Sequence, residues 1–370
     1  MPSVAAPVRG PVDIATRIVE LEALQTERSS QAVAATTRRD AVRNRLASDQ
    51  RLLDTARART DALGVRATEA SGRYDMARDR VGALAAAAYR GGVNNSDLML
   101  FLASSELGDY AYDREIVARV VEQQRLAVVA AKRERATAVA LAKEARVLRN
   151  RLIGSVSTLT RELQVSETRA IDAEVANARV AVWLGRWRAI EGGVATSILG
   201  DSGLTADELV MWFSKARRGA RITVPMQELT RFYLYEGSTA GVRGDIAFAQ
   251  SILETGSFWF PDNGQVLPTD NNFAGMDACD SCTSGRRYPD AQIGVRAQLQ
   301  LLRVYADPNL RNEMLDPPAV NPRLDTHYLK GRVTTWGGLT HTWATANTYG
   351  DRIIAIYAEI LAWLQARADL

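Results

Sequence analysis

Cysteine and histidine are almost missing from this chain of 370 residues, which has two of each. The cysteines stand together as Cys279-Asp280-Ser281-Cys282, and the histidines are His327 and His341. That is a poor supply for a zinc site, and no metal is expected. No βαβ pattern surrounds the C-x-x-C, which argues against redox catalysis. A run of about 18 apolar residues, the mark of a membrane-spanning helix, is also lacking. The opening "MPSVAAPVRGPVD" has no charged region followed by an apolar one, so it does not read as a signal peptide. Either the protein is cytosolic or a signal has been removed. Charge of one sign is missing too. The 46 basic and 43 acidic residues are interleaved, for a net charge of +3 and a pI near 8.9. This permits an anionic partner such as a cell wall but falls short of the basic density of a nucleic-acid binder.

Proline is absent from residues 12–190, and glycine is sparse there. What is present is Ala, Arg, Leu, Glu and Val, helix formers without breakers. Val42, Leu46, Leu53, Ala56, Leu63, Ala67, Ala70, Tyr74, Ala77, Val81 and Leu84 follow an alternating three-four spacing, interrupted at Asp49 and Thr60. Ala127, Ala131, Ala138, Leu141, Ala145, Leu148, Leu152 and Leu159 share a second such register, broken at Glu134 and Ser155. Both patterns are coiled-coil seams, and their alanines let two helices approach closely. Residues 1–11 read as a disordered tail. Residues 12–190 read as an antiparallel coiled-coil helical hairpin.

Between the two seams, Gly91-Gly92 stops the first helix and Asn95-Ser96-Asp97 offers a cap for a short apolar helix near 97–104. Leu98, Leu100, Phe101 and Leu102 cannot all face a thin two-helix seam. They are candidates for binding a partner or for packing on the hairpin itself. The stretch "LAAAAYRGGVNNSDLMLFLASSELGDYAYDREIVARVVEQQ" resembles the N-terminal coiled-coil region of secreted bacterial peptidoglycan hydrolases. That resemblance implies control by the membrane-bound FtsE–FtsX division complex, acting through the tip of the coiled coil.

Residues 191–221 read as a linker with one short helix, capped by Ser202 or Thr205 and apolar at Leu209, Val210, Trp212 and Phe213. Residues 222–370 are enough for one core. Helices are expected over 226–235, 242–255, 291–305 and 349–366, with irregular loops between them lining a cleft. Within "DIAFAQSILETGSF", Glu254 falls in the last turn of its helix, ahead of Gly256. The negative end of the helix dipole and neighbours such as Ile252, Phe258 and Phe260 disfavour its ionised form. A carboxyl that keeps its proton near neutral pH is what a glycosidic leaving group requires. Position alone favours an exposed, inert glutamate.

The segments "RGDIAFAQSILETGSF", "DNNFAGM", "YPDAQIGVRAQLQLL" and "THTWATANTYGDRIIAIYAEI" follow in that order. Together they resemble the glucosaminidase domain of glycoside hydrolase family 73, whose A-x-x-x-x-E-[ST]-G helix carries the acid. The resemblance implies a lysozyme-like, α-rich fold with a short β-lobe, and a mainly α chain overall. It implies cleavage of the β-1,4 bond after N-acetylglucosamine in peptidoglycan strands, with Glu254 as general acid and no cofactor. Gln250, Phe258, Phe260, Asn272, Phe273, Tyr288, Trp343 and Tyr349 become substrate-binding candidates, although any of the aromatics also suits a core. Here the N-x-F-G segment is one residue short, and only Asp277 and Asp280 lie in the abbreviated lobe. The water-activating base is therefore unassigned, and the substrate's acetamido group is a candidate nucleophile. A secreted, wall-facing enzyme further implies a Cys279–Cys282 disulfide closing that lobe. A lytic transglycosylase or muramidase on the same fold and a non-catalytic glycan-binding scaffold are the alternatives.

Overall fold

The computed structural model describes residues 12–90, 110–216, 219–262, 264–278, 284–320 and 328–370. The expected partner-binding residues Leu98, Leu100, Phe101 and Leu102 lie outside them, as do Cys279, Asp280, Cys282 and His327. The fold is mainly helical. It divides into two compact units, Val33–Asp172 and a second that joins the chain up to Ala32 with Ala173–Leu370. Among the described residues, no helix is long and apolar enough to cross a membrane.

The first unit is built from the two long helices α1 (Ile14–Arg90) and α2 (Tyr110–Arg188). Every residue of the expected α1 seam is buried or half-buried. The polar interruptions are accommodated within it. Ser155 Oγ donates to Asp49 Oδ2 at 2.5 Å, so the break in one seam faces the break in the other. Thr60 turns its hydroxyl back onto the Ala56 carbonyl at 2.7 Å. On α2 only part of the expected register holds. Ala131, Ala138, Ala145, Leu152 and Leu159 face inward, while Ala127 is exposed and Leu141 and Leu148 are 38% and 44% exposed. Val128 is half-buried where Ala127 was expected. Ala142 is buried in place of Leu141, and it packs with Ala145 and Leu63. At 141–142 the cause is size. A closely spaced helix pair favours a methyl group at the contact, and the larger leucine moves to its flank. The seam is interrupted at Glu134 as expected: residues 132–137 are all exposed, and Glu134 pairs with Arg73 across the helices. Arg43 and Glu167 form a second such bridge. Exposed pairs of this kind are screened by solvent and add little, so alanine and leucine packing supplies most of the stability.

The second unit contains the base of the hairpin as well as the C-terminal helices. Ile18 and Leu21 of α1 and Val180, Trp183, Leu184 and Trp187 of α2 share one core with the helices that follow. Trp187 Nε1 donates to Gln365 Oε1 at 2.6 Å, and Arg28 binds the Leu370 carbonyl at 2.9 Å. The segment expected as a linker is part of this core. Ile198, Leu204, Leu209, Trp212 and Phe213 are all buried. Its helix α3 (Ala206–Ala216) begins with a capping box. Thr205 N donates to Glu208 Oε2, and Glu208 N donates back to Thr205 Oγ1. Ser202, the other candidate cap, instead accepts from Asp245 N.

Four helices complete the unit: α4 (Met226–Ala240), α5 (Gly244–Glu254), α6 (Ala291–Ala306) and α7 (Tyr349–Gln365). Helix α5 is apolar almost all round and is buried from Gly244 to Ile252. It starts where a Cβ on Gly244 would come within 2.1 Å of the Tyr233 carbonyl, so only glycine lets α4 and α5 cross there. Asp245, fully buried at its first turn, accepts from Gly203 N, Leu204 N and Tyr357 Oη. Burial pushes its pKa up. Among the described residues no strand forms. Isolated bridges join Ser197 to Thr335, Leu199 to Val242 and Thr340 to Ala344. The expected lobe after α5 is an irregular stretch held by side-chain-to-backbone hydrogen bonds, without a described ladder.

Because Trp187 is wholly buried, Trp187→Ala should destabilise this unit by about 3–5 kcal/mol. Denaturant unfolding of the full chain, followed by tryptophan fluorescence, measures this. An unchanged midpoint would mean that the hairpin base is not part of the core.

Candidate active site

Glu254 closes α5, the buried centre of the unit, and its carboxyl emerges where the helix stops. Thr255 is the C-cap, and Gly256 follows with φ +62°. This is the left-handed position glycine occupies after a helix. The side chain is half-buried. Burial raises its pKa above the ordinary glutamate value. A hydrogen bond from Tyr349 and the charge of Arg352 pull in the opposite direction without cancelling the shift.

The Tyr349 hydroxyl donates to Glu254 Oε1. Burial, the Glu254 charge and that same hydrogen bond hold the Tyr349 pKa well above 10, so it stays a donor. Behind it the polarity of each bond is set in turn. Gln250 Nε2 donates to Tyr349 Oη at 2.8 Å, and Gln298 Nε2 donates to Gln250 Oε1 at 2.9 Å. Tyr233 Oη donates to Gln298 Oε1 at 2.9 Å. Tyr233, Gln250 and Gln298 are wholly buried. A fully satisfied buried network of this kind fixes the orientation of its members.

The other oxygen of Glu254 faces backbone. A Cβ on Gly275 would lie 3.2 Å from Oε2, and Gly275 has φ +63°. Only glycine gives both this approach and this conformation without strain. Asn272 holds the turn: Nδ2 donates to the carbonyls of Met276 (2.9 Å) and Arg286 (3.0 Å), and Oδ1 accepts from Met276 N at 3.0 Å. Trp343, half-buried, donates its Nε1 to the Ala274 carbonyl at 3.2 Å. Segments far apart in sequence thus converge on one carboxyl.

Several residues expected to touch substrate have other employment. Phe258, Phe260 and Phe273 are buried. Phe258 lies 5.7 Å from Phe213, 5.4 Å from Phe248 and 6.0 Å from Phe273 in an aromatic cluster. No ring face is left over for a sugar. Tyr288 is buried with Ala274, Met276 and Ala297, and burial pushes its pKa up to about 12. Gln250 and Asn272 are wholly buried and position other groups. Of the expected residues, Tyr349 bonds Glu254 directly, and Trp343 holds the backbone next to Gly275. Asp277, a carboxylate of the lobe, is bridged to Arg286 at 3.1 Å. Among the described residues no group of His, Cys, Asp and Glu could hold a metal.

Gln298 and Arg352 escaped the sequence reading, and Gly275 stood in it only as the last residue of the N-x-F-G-like segment, with no role against Glu254. Gln298 was visible as a polar residue within the apolar run "AQLQLL", and Arg352 as the residue one helical turn beyond Tyr349.

Residues 231–361 match the family described as mannosyl-glycoprotein endo-beta-N-acetylglucosaminidase. This span contains Glu254, Gly275, Gln298 and Tyr349. Residues 231–361 are a glucosaminidase-family domain. An uncharacterised protein of Borreliella burgdorferi is 32% identical to the chain over 141 residues. The alignment covers 37% of this chain and 64% of that relative's own length. No solved structure matches the chain. The helices α1, α2 and α3 precede the matched span, although the base of the hairpin and α3 share the core of the glucosaminidase domain.

Removing the Tyr349 hydroxyl deletes a bond that favours ionised Glu254. Tyr349→Phe should therefore raise the Glu254 pKa further, so that the proton is kept to higher pH. Arg352→Ala should move it the same way. A carboxyl-carbon NMR titration reads both shifts, and a fall in pKa in either variant would contradict this account.

Proposed function

We propose that the glucosaminidase domain hydrolyses the β-1,4 bond after N-acetylglucosamine in peptidoglycan, with Glu254 protonating the leaving oxygen. The observation carrying this reading is a carboxyl with a raised pKa, held by Tyr349 and flanked by Gly275, inside the family-matched span. Burial keeps the proton on Glu254, and the locked Tyr349 hydroxyl sets the direction of the carboxyl. After the proton leaves, the same hydroxyl and Arg352 stabilise the carboxylate that results.

The second catalytic group is the acetamido oxygen of the substrate in this reading. It supports the cation-like sugar until water arrives, and the enzyme then needs no second carboxylate. The Asp277–Arg286 bridge favours this, because it engages the one described carboxylate in the abbreviated lobe. The same observation keeps a second reading in view. A lytic transglycosylase also works with a single acid.

We further read the chain as secreted, because its proposed substrate lies outside the cytoplasmic membrane. In this reading the coiled-coil hairpin is an arm through which a division complex of the FtsE–FtsX kind controls activity. Its support is the likeness of residues 12–190 to the coiled coils of secreted wall hydrolases.

Digestion of purified peptidoglycan with the full chain, followed by mass spectrometry, tests the activity. New reducing N-acetylglucosamine ends are expected, and Glu254→Gln should lower their rate at least about a hundredfold. The rate should fall as pH rises through the raised pKa of Glu254, since the acid form is the active one. Anhydromuramic ends would identify a transglycosylase, and no fragments at all would leave a glycan-binding scaffold.

A further inference from the structure

Immediately after Glu254 the backbone does something costly. Gly256, Ser257 and Phe258 have φ of +62°, +65° and +58°, and Phe260 has +56°. Glycine tolerates this region, whereas serine and phenylalanine are strained in it. The strain is held in place by its surroundings. Ser257 N donates to the Ile252 carbonyl at 2.7 Å, Phe258 N to Thr255 Oγ1 at 2.7 Å and Phe260 N to the Thr255 carbonyl at 3.0 Å. Phe258 and Phe260 anchor the turn by burying their rings on either side of a third aromatic, Trp259.

Trp259 faces the other way. It is 55% exposed, while the other tryptophans of the chain are buried or half-buried. It is nevertheless well supported. Arg221 N donates to the Phe258 carbonyl at 2.8 Å, and Arg221 Nη1 to the Phe260 carbonyl at 3.2 Å and to Asp262 at 2.7 Å. These bonds bring the guanidinium to 5.8 Å from the centre of the Trp259 ring. A Cβ on Gly219 would lie 3.8 Å from its Cζ3. One side of the indole is thus backed by protein, and much of the ring is left to solvent. It stands five positions after Glu254, at most about 18 Å of chain even if fully extended, and the turn shortens that.

We propose that Trp259 is a stacking platform for an N-acetylhexosamine ring of the glycan whose neighbouring bond Glu254 attacks. This rests on the glucosaminidase reading. The apolar face of a pyranose suits a rigid, pre-positioned aromatic ring, and the ordering cost of the platform is already met by the turn. A sugar is favoured over a protein partner because the platform is built on the turn that follows the acid.

The test uses the full chain carrying Glu254→Gln, so that ligand is not turned over, and the N-acetylglucosamine oligomer chitohexaose as probe. Calorimetric titration should show binding weakened about tenfold by Trp259→Ala and less than about threefold by Trp259→Phe, which keeps an aromatic face. Circular dichroism of both variants should match the parent, because the ring is exposed. Binding by the parent that Trp259→Ala leaves unchanged overturns the platform and leaves the glucosaminidase reading standing. No binding by the parent, together with no fragments released from wall glycan by the unsubstituted chain, overturns both.

Discussion

The hydrogen bond from Tyr349 to Glu254 is the contact on which the site depends. Glu254 ends α5 and Tyr349 begins α7, so the bond joins two helices that meet nowhere near one another in sequence. A tyrosine hydroxyl can donate or accept, and only its surroundings decide which. Here Gln250 occupies its acceptor side with an N–H, and Gln298 in turn directs Gln250. The hydroxyl proton therefore points to the carboxyl. Four buried polar side chains are a large desolvation cost for a small domain, and complete pairing is what makes that cost bearable.

That network needs a rigid frame, and the frame reaches beyond the family-matched span. Helix α5 has no solvent-facing side over most of its length, so it must be covered all round. The hairpin base, the α3 segment and the C-terminal helix contribute to the same core. Asp245 ties the start of α5 to the backbone of residues 203–204 and to Tyr357. A cut ahead of residue 222 would strip Trp187, Trp212 and Ile198 from this core. The chain before the glucosaminidase motifs is thus part of the scaffold that holds Glu254, whatever else the coiled coil does.

The parts of this structure legible in the sequence are those governed by local periodicity. The α1 seam could be read because its apolar residues recur at three and four, and the C-terminal helices because their capping and apolar faces are local. On α2 the same reasoning misplaced Leu141, because a tight seam selects the small Ala142 over its more apolar neighbour. Glu254 was legible from its isolation at a helix end and from the motif around it. The aromatics were not. Phe258, Trp259 and Phe260 are adjacent and chemically alike, and which of them faces the core depends on positive φ values that no periodicity predicts. Gly275 and Gln298 act through approaches made only in the folded state.

Opposed electrostatic forces act on the Glu254 carboxyl, and their balance suits the acid role proposed for it. Burial alone would hold the proton tightly, and a proton held too tightly is not delivered. Tyr349 and Arg352 both favour the ionised form, yet the net shift remains upward. Arg352 is exposed while Tyr349 is buried, so the two act differently. Solvent and salt screen the arginine, whereas the tyrosine bond is shielded from both. The protonation of Glu254 therefore rests chiefly on burial against one hydroxyl, and that hydroxyl is the group the glutamine relay holds fixed.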